Sequence, residues 1–271
     1  EIVALLDTNA LLSHGATETI RDVGAVRGQR NDDYWLQFMS GYNPKSPRVP
    51  MVYTKFVNQL KASGVNVKRA GTQTHIMALT DKDVNSLAGS RELKNANGVD
   101  WNKGLSPIPG GLFDPALTGG HNGNQWSSIK LVEPMPNPVM EEPIRRLLGL
   151  TQKSFQEVIA GTQVLPGHGS GPSAINKALG AINLDKALAE TRASVESGNK
   201  TQRDMAIRKL GYLKSAKKLG IHPSEWMLNR VPVLPPMFRP VNVMSNDMPL
   251  VNDANYLYKE LFEANKNLED M

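Results

Sequence analysis

The sequence predicts an α+β protein, mostly helical with small sheets, built as an elongated series of modules rather than around one globular core. Three observations predict this. Apolar residues recur at helical spacing through 51–63, 172–219 and 253–268, while strand-like alternation elsewhere is brief. Glycine and proline, 23 and 18 of 271 residues, interrupt the chain often enough to keep its elements short. The stretch 225–241 carries Pro232, Pro235, Pro236 and Pro240. Each fixes its own φ, lacks an N–H and biases its predecessor away from the helical region, so this is neither a helix nor a central strand. Composition alone also allows a proline-rich linker or a ligand for a proline-binding module. Val231, Val233, Leu234, Met237 and Phe238 make it too apolar for a solvated linker. A stiff segment loses little entropy when it is buried.

Composition narrows the function. There is no cysteine, which excludes disulfides and Cys-ligated zinc. His14, His75, His121, His168 and His222 are scattered, without the spacing of a metal site. No apolar run is long enough for a membrane span, and no signal peptide is visible. The chain opens on Glu1 rather than Met, which fits processing or trimming of a longer chain. A net charge of +5 is compatible with a polyanionic partner without requiring one.

In chain order, 2–9 reads either as a strand ending at Asp7 or as a helix with Ile2, Leu5, Leu6, Asn9, Leu12 and Ala16 on one face. The strand reading resembles a PIN-domain ribonuclease, in which Asp7 would need further carboxylates around a divalent metal. Segment 24–50 reads as irregular. Its Tyr34, Trp35, Phe38 and Tyr42 lie among basic residues, as anchors for a loop or as nucleic-acid contacts. Pro50 opens a helix over 51–63 with Val52, Phe56, Val57 and Leu60 as its stripe and Gly64 as its stop. Val65–Val67 alternates like a short strand, and 68–75 is a polar bridge. Ile76–Leu79 reads as a strand, followed by a helix capped by Thr80 with Asp83 three residues on. Helices follow over 141–150 and 151–159, then a Gly-rich loop over 164–171 that lacks the ending of a phosphate-binding loop. Further helices are expected from Pro172, over 184–197, and from Thr201 to 219 with Thr201 as cap. The last two form a hairpin. Arg203, Arg208, Lys209, Lys214, Lys217 and Lys218 make its second arm basic, as a solvated face or a stripe facing DNA or RNA. After a loop over 241–250, Asp253 caps a final helix with Leu257, Leu261, Ala264 and Leu268 on one face.

Several of these strings resemble multisubunit DNA-dependent RNA polymerases. Glu225-Trp226-Met227 followed by Val-Pro-Val-Leu-Pro-Pro-Met-Phe-Arg-Pro-Val (231–241) is similar to the β′ segment leading from the clamp to the lid. Gly110-Gly111-Leu112-Phe113 is similar to the β′ N-terminal region. His14-Gly15-Ala16 and the 49–67 helix and strand resemble the C-terminal end of the β subunit. The resemblance implies a β tail over 1–72 and a β′ head over 73–140 without its zinc module. It further implies a helical clamp region over 141–240, and the lid with the first clamp helix over 241–271. A β tail followed by a β′ head, with no zinc insertion, resembles the divergent polymerases of jumbo bacteriophages. The resemblance thereby implies a non-catalytic clamp part of a nucleotidyltransferase that works in the host cytoplasm or virion. Its Mg²⁺-binding aspartates would lie outside this chain, which itself holds no cofactor. Its partners would be other polymerase subunits, template DNA, nascent RNA and a promoter-specificity factor, with no membrane. The residues expected to meet nucleic acid are Arg203, Arg208, Lys214, Lys217, Lys218, Arg230, Arg239, Met244, Asn246 and Met248.

Overall fold

Gly15, at φ +70°, turns the chain between two short helices, α1 (Leu5–Ser13) and α2 (Thr17–Arg21), a conformation that glycine adopts without strain. The computed structural model describes residues 5–27, 31–42, 51–70, 73–244 and 249–270. Two units divide the chain, Glu1–Val57 and Asn58–Met271. In the first, α2 runs into a π-helical turn, Asp22–Arg27, and is followed by α3 (Asn31–Met39). Of the two readings of 2–9 the helix is found, with Asp7 inside α1. One expectation changes: most of the described residues of 24–50 are helical rather than irregular. No described side chain of this unit is buried. Trp35 and Phe38, one turn apart on α3, meet edge to face at 5.7 Å between ring centres and are each about half exposed.

Helix α4 (Met51–Ala62) crosses from one unit into the other and contains no buried residue. Val52 and Phe56, expected in its buried stripe, are 79% and 56% exposed. Val57 and Leu60 are half-buried, so only part of the apolar stripe has the burial that normally stabilises an amphipathic helix.

The second unit begins with a hairpin, β1 (Val65–Ala70) against β2 (Gln73–Ala78), antiparallel with Val65 opposite Ala78. The bridge expected over 68–75 is thus mostly strand, and the module boundary expected at 72–73 falls between β1 and β2. Helix α5 (Asp81–Ala88) starts with the anticipated reciprocal cap, since the Thr80 N–H donates to Asp83 Oδ2 at 3.1 Å. Three segments converge on this helix start. Lys68 pairs with Asp83 at 2.9 Å, Lys82 with Glu225 at 2.8 Å, and the Asn229 N–H and side-chain amide donate to Asp81. Burial pushes Asp83 up, but Lys68 and the Thr80 N–H outweigh it and hold the carboxyl below its usual range. Lys82, with the His222 N–H, does the same for Glu225. Both folded values are depressed, so these carboxylates stabilise the fold above their unfolded pKa near ~4, and the contribution fades as pH falls through the lower folded values. Thermal melts should show stability flat near neutrality and falling below about pH 4. The acid limb should be shallower in Glu225→Gln; an unchanged limb would mean that the pair contributes nothing.

Two short strands, β3 (Val99–Asp100) and β4 (Ser106–Pro107), pair with each other, and Asp114 caps the one-turn helix α6 (Pro115–Thr118). Strand β5 (Ser127–Pro136) then forms an antiparallel ribbon with β6 (Met227–Val233), broken by a register shift between Lys130 and Met135. Pro232, opposite Ser128, sits in a two-stranded ribbon rather than a central strand, as its missing N–H requires. Between these strands lie α7 (Glu141–Leu148), α8 (Gln152–Ile159), α9 (Pro172–Gly180), α10 (Leu184–Ser197) and α11 (Lys200–Leu219). Asn199, not Thr201, caps α11, in a reciprocal box with Gln202. The chain ends with a small hairpin, β7 (Val241–Val243) against β8 (Pro249–Val251), and α12 (Asp253–Glu269), capped by Asn252 rather than Asp253.

The second unit has two cores. Ile144, Phe155, Ile175, Leu179 and Leu213 fill the first, between α7 and α11, and Trp226 and Met227 close it. Leu112, Phe113, Trp126, Ile129, Val233, Leu234, Phe238 and Tyr258 fill the second. The proline track therefore begins in one core and ends in the other. Its rigidity fixes how the two are joined, which a flexible connector could not do. Asn137, fully buried, donates from Nδ2 to the Gly64 and Leu79 carbonyls at 2.9 and 3.0 Å, tying the β1–β2 hairpin to the ribbon. Gly64 is at φ +94°, and a Cβ there would overlap the Asn137 side chain.

Candidate nucleic-acid interface

Helices α10 and α11 are joined by the Gly198–Asn199 turn and fold back on each other. Leu188, Thr191, Ala206, Leu213 and Ala216 lie buried on their inner faces. The basic residues of α11 do not form one stripe. At about 100° per residue, Arg203 and Lys214 fall within about 20° of each other and about 16 Å apart along the axis. Lys217 lies beside them, and Lys218 is one position further round. Arg208 is about 140° from Arg203, on the other side of the helix. There its charge, with the Arg146 hydrogen bond as the larger cause, helps hold the Glu142 carboxyl below its usual range. Lys209 is likewise turned away, with Nζ donating to the Leu147 carbonyl at 3.2 Å.

The far end of the hairpin gathers the basic side chains most closely. Lys214, Lys217 and Lys218 share a shallow groove with Arg192 and Asp185 of α10. Lys217 is ion-paired to Asp185. Four cations thus face one carboxylate. Sequence reading missed Arg192 because α10 was read only for its apolar seam. A signal was there: Asp185 and Arg192 are two helical turns apart on one face of α10, and a short turn folds that arm against α11. No aromatic side chain lines this groove, so it can engage phosphates but offers no platform for stacking bases.

The expected residues outside the hairpin fare differently. Arg230 is half buried; its Nη1 donates to the Gly89 carbonyl at 3.3 Å and its Nη2 pairs with Glu92 at 3.4 Å. Met244 is exposed at the end of β7. Asn246 and Met248 lie outside the described residues. Arg239 requires a correction: it is fully buried and cannot meet nucleic acid. Its Nε donates to the Leu234 carbonyl, Nη2 to that of Leu112 and Nη1 to Asn255 Oδ1, at 2.6, 2.6 and 2.8 Å. Its guanidinium carbon lies 4.8 Å from the centre of the Phe113 ring. Burial lowers Arg239 to about 10, so it remains charged at neutral pH. Among the described residues no carboxylate pairs with it. Carbonyl dipoles and two aromatic rings take that place.

Tyr256, Leu257 and Leu268 of α12 are exposed, whereas Asn255 and Tyr258 face the core. The buried face is therefore rotated from the one expected. Among the described residues, no group of three His, Asp or Glu side chains could hold a metal ion, and no helix is long and apolar enough to cross a membrane.

No protein-family model matches the chain. Its sequence relatives include the β′ subunits of bacterial DNA-directed RNA polymerases. It is 30% identical to that of Streptococcus agalactiae over 149 residues, 53% of this chain and 11% of the relative. With the β′ subunit of Listeria grayi it shares 32% identity over 101 residues, 37% of this chain and 10% of the relative. With that of Lacticaseibacillus casei it shares 26% over 144 residues. The chain is thus related, over about half its length, to a subunit of multisubunit RNA polymerases, and it spans about a tenth of the length of those relatives.

Proposed function

We propose that this chain is a non-catalytic, clamp-side part of a DNA-directed RNA polymerase that holds template DNA and the RNA–DNA hybrid and packs against other polymerase subunits. The similarity to β′ carries this reading, and the cation cluster at the end of the α10–α11 hairpin supports it. In this reading β7 and β8 form the base of the lid, α12 is the first clamp helix, and the β-like and β′-like parts meet between β1 and β2. The uncovered faces of α3 and α4 await the remaining subunits, since large exposed apolar patches mark interaction surfaces. The β-before-β′ order and the absent zinc module favour a bacteriophage enzyme acting in the host cytoplasm or the virion. Mg²⁺ and its aspartates belong to another segment, and a promoter-specificity factor completes the assembly. Fluorescence anisotropy with duplex DNA and an RNA–DNA hybrid tests the nucleic-acid part. Both should bind without sequence preference, with affinity falling steeply as salt rises. Salt-independent or sequence-selective binding would contradict it.

A further inference from the structure

A second groove, of about 750 Å³, lies between the α7–α8 turn and the turn end of the hairpin, formed by the second half of α10 and the first half of α11. It is separate from the cation cluster, because Lys209 on its wall is about 140° around α11 from Lys214. We propose that this groove is a nucleotide-binding site, with Arg145, Arg146 and Lys209 holding the phosphates and Ser194, Ser197 and Gln202 meeting the sugar and base.

The cationic wall is only partly used within the chain. Arg146 Nε donates to Glu142 at 2.8 Å, and Lys209 makes one bond to the Leu147 carbonyl. Neither side chain makes another hydrogen bond among the described residues. Arg145 goes further: its Nε–H is buried and meets no acceptor in hydrogen-bonding geometry, with Glu141 the nearest carboxylate at 3.4 Å. That enclosed N–H is out of a ligand's reach, but the Arg145 Nη groups make no hydrogen bond among the described residues and are not enclosed, so they are open to an anion. Guanidinium forks suit phosphate oxygens, and Lys209 adds a point charge.

The opposite wall has different chemistry. Ser194 and Ser197 donate their hydroxyl protons to the Glu190 and Ala193 carbonyls, which leaves their lone pairs free to accept. Gln202 accepts the Asn199 N–H through Oε1, which leaves its NH₂ group free to donate. Leu150, Met205 and Ala206 supply apolar surface between the two walls. Glu190 is the one carboxylate among the lining side chains. It disfavours a ligand that is anionic at both ends, such as a nucleic-acid strand or an acidic peptide. A nucleotide is anionic at one end, carries hydroxyls and amino groups at the other, and fits the size range of small-molecule sites. Occupancy of the groove is independent of whether the chain works in a polymerase.

Isothermal titration of the full chain with ADP, adenosine and inorganic phosphate tests the site. ADP should bind at least about tenfold more tightly than adenosine or phosphate. Lys209→Met and Arg146→Gln should each weaken ADP about tenfold while leaving the circular-dichroism melt and duplex-DNA affinity unchanged. Lys214→Glu, on the separate cluster, should leave ADP binding unaltered. The proposal is overturned if ADP binds no better than adenosine or fails to saturate at millimolar concentration. It is equally overturned if Lys214→Glu costs as much as Lys209→Met, which would assign the ADP to the cation cluster.

Discussion

Replacing Arg239 with Met is expected to destabilise the second core by about 3–5 kcal/mol. The guanidinium holds together three stretches that are distant in sequence. Leu112 belongs to the Gly-Leu-Phe turn, Leu234 to the proline track and Asn255 to the first turn of α12. Asn255 answers by donating to the Arg239 carbonyl at 3.1 Å. Beside it the Tyr258 hydroxyl accepts the Leu234 N–H at 3.1 Å. Methionine fills similar volume but leaves two carbonyls and an amide oxygen buried without donors. Arg239→Lys keeps the charge yet cannot reproduce the fork, so it should also destabilise, by less. The damage should be local. Trp126 lies in the affected core and Trp226 in the other. Single-tryptophan versions should show Trp126 reporting earlier unfolding in denaturant while Trp226 changes little. Equal stability of Arg239→Met and the parent would show that the buried cation contributes nothing to the junction.

Reversing the charge of the hairpin end, in the triple variant Lys214→Glu, Lys217→Glu, Lys218→Glu, is expected to weaken duplex-DNA binding by about 100-fold or more near physiological salt. Each phosphate contact contributes about 0.9 to the slope of log affinity against log salt, so the slope should fall by up to about three. Lys217 counts for less than the others, because Asp185 already neutralises part of its charge. Arg192→Glu should act in the same direction. Arg208→Glu, on the other side of α11, should cost far less. All of these side chains are exposed, so the melts should hardly move. A triple variant with parental affinity and slope would remove the hairpin from the interface.

Much of the fold was legible because local chemistry agreed with the tertiary structure. Thr80 and Asp83 cap α5 as anticipated, Gly64 and Gly220 stop their helices at positive φ, and α10 spans the range its seam indicated. The errors have physical causes. Lys68 to His75 hides a hairpin because an isolated two-stranded ribbon need not show the alternation of a half-buried sheet. Asn199 with Gln202, and Thr201 with Asp204, are equally good capping boxes two residues apart, and sequence cannot choose between them. Arg239 was misread because a charge suggests exposure; its place between Phe238 and Pro240 in an apolar run was the warning. Arg192 was legible in part, since it shares a face of α10 with Asp185, but its neighbours on α11 follow only from how the two arms pair.

The proposed clamp role places partner subunits on the uncovered faces of α3 and α4 and the exposed side of α12. The most direct measurement is to tag this chain in its native setting, purify it under low-salt conditions and identify the accompanying polypeptides by mass. The account predicts polypeptides similar to the rest of β and β′, in fixed stoichiometry, in a fraction that synthesises RNA from a DNA template. Recovery of the chain alone, or with proteins unrelated to transcription, would contradict it.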